Sequence, residues 1–180
     1  MVDTENDAKE NTAKENAAKE NAEESPELLP FGKYGQKLSD AGFEVVALQA
    51  DAAGNESIQV DPAHLIQVAT FLRDQCDFDL LLSCAGVDWK THRESVYQVY
   101  SIKASDYIIL KVIAKEEHSP SLMPVWPAAD WHERETYDLF GIIYDGHPNL
   151  TRILMPNDWL GHPLRKDYKL DDPRLVWNQR

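Results

Sequence analysis

The spacing of apolar residues changes several times along this chain, and each change marks an element. Tyr34, Leu38 and Ala41 recur at a helical period with Gly42 as a stop, which predicts a short helix over 33–40. Residues 43–48 read as a strand, 51–55 as a turn, and Ile58 with Val60 as a second short strand. Asp61-Pro62 supplies an acidic cap and a proline at the first helical position. Leu65, Val68, Ala69, Leu72 and Cys76 then follow at helical spacing, predicting a helix that ends near 75. Residues 78–85 form a mostly apolar run, as a buried strand does. Residues 95–102 alternate, with Val96, Tyr100 and Ile102 opposite Tyr97 and Val99, and 107–114 read as another strand across a turn at 103–106. These two strands predict a hairpin.

Beyond Pro127 the texture changes. Residues 128–140 read as a helix closed by Gly141, and 142–144 as a brief strand. Proline-containing breaks then recur at 145–148, 156–158, 161–163 and 172–173. Such a stretch builds no core of its own and must lie along another surface, either its own domain or a partner. With Trp159, Leu160 and Leu164 in it and no periodic apolar face, the expectation is that it takes its order mainly from a partner. The predicted fold class is α+β: a two-layer sandwich of a mostly antiparallel sheet with helices on one face, plus an extended C-terminal arm. The domain reading is a tail over 1–25, an α+β domain over 26–144 and an arm over 145–180. No glycine-rich turn follows a strand, so neither a Rossmann nor a P-loop unit is expected.

Charge and composition narrow the function classes. A formal net charge of −13 argues against non-specific nucleic-acid binding. Apolar runs are only a few residues long, far short of the roughly 20 that span a bilayer, and the polar start has no signal-like apolar region. Two cysteines, Cys76 and Cys84, make no disulfide framework and cannot supply the four thiolates of an ordinary iron–sulfur cluster. The expectation is a soluble protein of a reducing compartment. Residues 1–25 repeat Ala-Lys-Glu-Asn three times and hold eight acids and three lysines, which reads as a disordered, solubilising tail. Residues 145–180 are the least acidic part, with five acids and six bases. Four of the five tryptophans lie beyond residue 125.

The helix at 128–140 gathers the candidate chemistry. His132-Glu133-Arg134-Glu135-Thr136 nearly matches a zinc-protease pattern, but that pattern needs a histidine where Thr136 stands. A simpler reading is an ion ladder, with Arg134 bracketed by Asp130 and Asp138 at i,i+4 spacing. Glu135 and Asp138 at i,i+3 could form an acid/base pair of the glycosidase kind. His147 and His162 each precede a proline in a turn, where structural histidines are the rule. Arg165, Lys166 and Asp167 suit either phosphate binding or surface salt bridges.

Read together, these pieces are far more specific. Trp126-Pro-Ala-Ala-Asp-Trp131 leads into Glu133-Arg-Glu-Thr-Tyr-Asp-Leu-Phe-Gly141, then Gly146-His-Pro-Asn-Leu150, Arg152-Ile-Leu-Met-Pro156 and Asp158-Trp-Leu-Gly-His-Pro-Leu-Arg-Lys-Asp-Tyr168. Over about 120–168 this resembles the signature of the 30-kilodalton subunit of respiratory complex I, the one lettered C in bacteria and J in cyanobacteria and plastids. The upstream α/β segment is compatible from about residue 34, and the repeat at 1–25 falls outside.

The resemblance implies a cofactor-free subunit in the peripheral arm of a proton-translocating NADH–quinone oxidoreductase, with no catalytic centre of its own. FMN, iron–sulfur clusters and quinone would belong to partner subunits. The chief partner would be the 49-kilodalton-type quinone-site subunit, which the arm would wrap. It implies no nucleic-acid partner and membrane contact only through the complex, on the cytoplasmic side of the bacterial inner membrane or another energy-transducing membrane. Glu133, Arg134, Glu135 and Asp138, with Phe140 and Gly141, would organise the signature helix. Trp131, His147, Pro148, Arg152, Trp159, Pro163, Arg165, Lys166 and Asp167 would make the docking surface, and Gly161, His162 and Tyr168 belong to the same interface-and-signature set. Thr151 stands where the family often has a second basic residue. His162 and the ending at 169–180 favour the bacterial respiratory type over the plastoquinone-linked one. The alternative is a free-standing hydrolase using Glu133, Glu135 or Asp138.

Overall fold

A computed structural model of the chain describes residues 29–169, so the acidic repeat over 1–25 and the last part of the arm lie outside the described residues. The elements run in the order α1 (Lys33–Asp40), β1 (Val45–Leu48), β2 (Glu56–Val60), a 3-10 turn (Pro62–His64), α2 (Leu65–Cys76), β3 (Leu80–Asp88), β4 (Arg93–Ser101), β5 (Asp106–Ala114), β6 (His118–Pro120), α3 (Ala129–Phe140) and β7 (Ile143–Asp145). Local chemistry accounts for the ends of the helices. The Asp61 carboxylate accepts Ala63 N–H at 2.8 Å ahead of α2. The Glu56 carboxylate on β2 accepts Tyr34 N–H at 2.9 Å and Gly35 N–H at 2.7 Å, capping α1 from the sheet.

β1 to β5 form a mixed sheet in the order β1-β2-β5-β4-β3. Three pairings are antiparallel, as expected, but β2 and β5 run parallel with Ile58 opposite Leu110. The reason is that α2 carries the chain from β2 to the far edge, and the β3–β4–β5 meander then fills the gap back to β2. The expected hairpin pairs Tyr100 with Tyr107 and Arg93 with Ala114. β6 pairs with β7 in parallel, a short ladder that the apolar pattern did not signal.

One sheet face and the helices share a single core. Tyr34, Leu38, Leu65, Val68, Leu72, Phe78, Tyr97, Val99, Leu110, Leu122, Trp126, Ile142 and Tyr144 all belong to it. Trp126 closes it by donating its indole N–H to the Phe78 carbonyl at 3.0 Å. α3 lies close over β3 because Gly86 has no side chain: a Cβ there would stand 2.5 Å from the Phe140 ring. No helix among the described residues is long and apolar enough to cross a membrane.

Candidate functional site

α3 presents two buried carboxylates on its inner side, and each organises a different neighbour. Glu133 is fully buried. It accepts Leu122 N–H at 2.7 Å, Ser121 Oγ–H at 2.6 Å and Tyr97 O–H at 3.2 Å. Burial pushes its pKa up to about 7, and the three donors, which favour the anion, only partly offset this. Beside it, Thr136 donates to Tyr144 Oη at 2.8 Å, and Tyr144 Oη lies 2.8 Å from Ser95 Oγ. Cys84 Sγ is 3.7 Å from the same hydroxyl. Burial pushes the Cys84 thiol up to about 12, so it is a packed thiol and not a nucleophile.

Asp138 is also fully buried, and it holds the arm. Its Oδ2 accepts the backbone N–H groups of Ile153 at 3.0 Å, Leu154 at 2.8 Å and Met155 at 2.8 Å. Its Oδ1 takes Arg152 Nη1 at 2.7 Å. Burial alone would raise the pKa of Asp138; the backbone donors and Arg152 outweigh it and hold the carboxyl below the usual range. Arg152 also donates to the Gly161 carbonyl at 2.9 Å, and His162 Nδ1 lies 2.9 Å from the Asp138 carbonyl.

The end of α3 gathers the rest of the segment. Leu164 N–H donates to the Leu139 carbonyl at 3.0 Å and Arg165 Nε to the Phe140 carbonyl at 2.7 Å. Arg165 Nη2 also reaches Glu117 at 2.9 Å, and Glu117 is shared with Arg93. Lys166 N–H donates to Asp88 at 2.7 Å. Gly141, with φ +76°, makes this possible, because a Cβ there would collide with Arg165 Nη2 and fall 2.6 Å from the His162 ring.

Several expectations are corrected by this geometry. Arg134 is not bracketed by acids: it donates to the Thr151 carbonyl at 3.1 Å and hydroxyl at 3.0 Å, and lies 5.0 Å over the Trp131 ring. Asp130 instead faces His147, whose Nε2 is 3.3 Å from its carboxylate. Glu135 is exposed while Asp138 is buried and engaged, so the two do not form an acid/base pair. Thr136, the missing histidine of the zinc pattern, is buried and bonded to Tyr144. Among the described residues no group of three or more His, Cys, Asp or Glu side chains could hold a metal ion. Polar contacts, invisible to apolar periodicity, bind His147, residues 151–155, His162, Leu164 and Arg165 to α3.

The site therefore brings Glu133, Arg134, Asp138, Gly141, His147, Arg152, His162 and Arg165 together, while Trp131 is 64% exposed and Leu154, Leu160 and Leu164 also face solvent. Phe140, Trp159, Pro163 and Tyr168 are half-buried, and Glu135, Pro148, Gly161, Lys166 and Asp167 lie at the surface. Sequence reasoning missed Asp88, Tyr97, Glu117, Ser121 and Tyr144. Only Tyr97 left a trace, as a polar-tipped residue on the apolar side of an alternating strand.

Comparison with known proteins follows the same outline. A family model described as respiratory-chain NADH dehydrogenase, 30 Kd subunit, matches residues 58–174. The C subunit of the NADH-quinone oxidoreductase of Mycolicibacterium smegmatis is 46% identical over 158 residues, covering 78% of this chain and 66% of that protein. Its counterpart in Roseiflexus sp. strain RS-1 is 44% identical, covering 80% of this chain and 88% of that protein. The chain thus spans 61–66% of the length of the first mycobacterial relatives. A trypsin-resistant fragment of Nqo5 shares the fold, with a TM-score of 0.55 at 22% identity, covering 64% of this chain and 95% of the fragment. The buried signature helix, the arm bonded to it and these matches agree: the chain belongs to the family of the 30-kilodalton subunit of respiratory-chain NADH dehydrogenase.

Proposed function

We propose that the chain works as a cofactor-free subunit in the peripheral arm of a proton-translocating NADH–quinone oxidoreductase, docking on and supporting the quinone-site subunit. FMN, iron–sulfur clusters and quinone belong to other subunits in this reading, and the chain meets the membrane, on its cytoplasmic side, only through the complex. One observation carries it. The arm is pinned from within by Asp138 and Arg152, yet turns Leu154, Leu160 and Leu164, between 49% and 57% exposed, to solvent. Polar anchoring inside and apolar side chains outside make a preformed interaction surface. The hydrolase alternative lacks a free carboxylate pair, since Glu133 and Asp138 both act as internal acceptors.

The test is affinity purification of the tagged chain from its own cells, followed by assay of the eluate. Co-elution with a flavin- and iron-bearing assembly that reduces quinone is expected. Leu160→Asp and Leu164→Asp should release the chain from that assembly while leaving its melting temperature nearly unchanged. A chain that elutes alone and turns over a substrate as a monomer would overturn the proposal.

A further inference from the structure

Away from the arm's apolar side chains, residues 88–93 and the end of the arm enclose a cleft of about 190 Å3 lined by Asp88, Lys90, Arg93, Lys166 and Asp167. Asp88 is already engaged: its two oxygens accept Lys90 N–H at 2.8 Å and Lys166 N–H at 2.7 Å. The cations are less well provided for. Arg93 must share Glu117 with Arg165, and the two guanidinium groups repel one another. Arg93 Nε is buried without a hydrogen-bond partner among the described residues. Among the described residues, neither the Lys90 nor the Lys166 ammonium reaches a carboxylate within salt-bridge distance, while the Arg93 and Arg165 pairs do. Beside the cleft stands Trp89, 52% exposed, stacked on His92 and fixed by its indole N–H to Glu94 at 3.0 Å. Lys166 Nζ lies 6.0 Å over the same ring.

We propose that this cleft receives one carboxylate from an acidic side chain of a neighbouring subunit, an inference that rests on reading the chain as a subunit of a larger assembly. The Lys90 and Lys166 ammonium groups meet no carboxylate among the described residues, and a carboxylate between them supplies the missing counter-charge, with the Arg93 guanidinium adding to the positive field of the cleft. Three cations against two acids leave one net positive charge, which suits a monoanion better than a phosphate dianion. The exposed indole beside the cationic cleft offers an apolar contact next to a charge contact, which a protein side chain uses and a free anion does not. The acceptor would bridge Lys90 on the β3–β4 turn to Lys166 on the arm, tying the arm's end to the partner as well as to α3.

The experiment has two arms. In the first, the isotopically labelled full chain is titrated with acetate, and separately with inorganic phosphate, while NMR follows the Arg93 Nε–H and the Trp89 indole N–H. Acetate should shift the Arg93 signal saturably, and Lys166→Gln, which leaves the Lys166 backbone N–H in place for Asp88, should weaken it about tenfold. No saturable shift, or phosphate binding much tighter than acetate, would overturn the carboxylate site. In the second arm, Lys166→Glu is tested for co-purification with the assembly that captures the wild-type chain. Loss of co-purification with an unchanged melting temperature supports docking through this cleft. Acetate binding with full co-purification of Lys166→Glu would overturn docking here while leaving the broader assembly reading intact. Failure of the wild-type chain to co-purify would instead overturn that reading and this inference with it.

Discussion

Asp138 and Arg152 meet at 2.7 Å across the junction of α3 and the arm, the carboxylate fully buried and the guanidinium nearly so. The same carboxylate takes three consecutive backbone N–H groups, so one side chain fixes both the direction and the register of the segment after β7. A buried charge is tolerated only when it is paired and hydrogen-bonded, and Asp138 meets both conditions.

Asp138→Ala should therefore cost about 3–5 kcal/mol, because it strands Arg152 and leaves the N–H groups of residues 153–155 without an acceptor. The loss should be local as well as global. Hydrogen exchange of residues 152–165 should rise to that of an unbound segment while β4 and β5 stay protected. Uniform exchange along the chain would contradict this. The wild-type contribution has a defined pH sense. A carboxyl whose folded pKa lies below its unfolded value gives stability present above about pH 4, lost as pH falls through the folded value.

Glu133 has the opposite sign. Its folded pKa of about 7 lies above the unfolded value near 4.5, so its contribution is complete below that lower value and falls as pH rises towards neutrality. The difference amounts to about 3 kcal/mol between pH 4 and pH 8. Glu133→Gln keeps an acceptor for Leu122 N–H and Tyr97, and Ser121 can turn to accept from the new amide. Denaturant titrations at several pH values should show the variant gaining on the wild type by about that amount across the window. Parallel curves for the two proteins would rule out titration of Glu133 as the cause.

Gly141→Ala should be damaging out of proportion to its size. The φ of +76° is strained for any residue with a Cβ, and the new methyl would collide with Arg165 and His162. The backbone conformation alone costs about 1–3 kcal/mol. Displacing Arg165 also leaves the Phe140 carbonyl and Glu117 without this donor. A lowered melting temperature together with faster exchange at residues 162–166 is expected.

Trp131→Ala should leave stability within about 0.5 kcal/mol, as surface substitutions usually do. The indole is 64% exposed, with the Arg134 guanidinium 5.0 Å from its ring centre. Its effect should appear in assembly, where exposed aromatic side chains commonly dominate binding. Equal recovery of wild type and variant with the purified assembly would remove Trp131 from the docking surface.

Much of the fold was legible in order because periodicity is a local property. The helical spacing of Leu65, Val68, Leu72 and Cys76, the Asp61-Pro62 start, the alternation around Tyr97 and the Gly141 stop all depend on neighbours within a few residues. The signature from Trp126 to Tyr168 likewise identified the family, since a long ordered string of specific residues survives without knowledge of their contacts. Three-dimensional placement decided the remainder. Whether β2 pairs with β5 in parallel depends on where α2 delivers the chain, which no local spacing records. Asp130, Glu133, Arg134 and Asp138 look alike as charges on a helix, and only packing separates the exposed edge from the buried face. That burial turns Asp138 from one rung of an imagined ion ladder into the anchor for residues 152–155. It also turns Glu133 into an acceptor for a loop eleven residues upstream. Charge pattern is read along the chain, but desolvation and partner geometry arise only when distant segments meet, and these set what each carboxylate does.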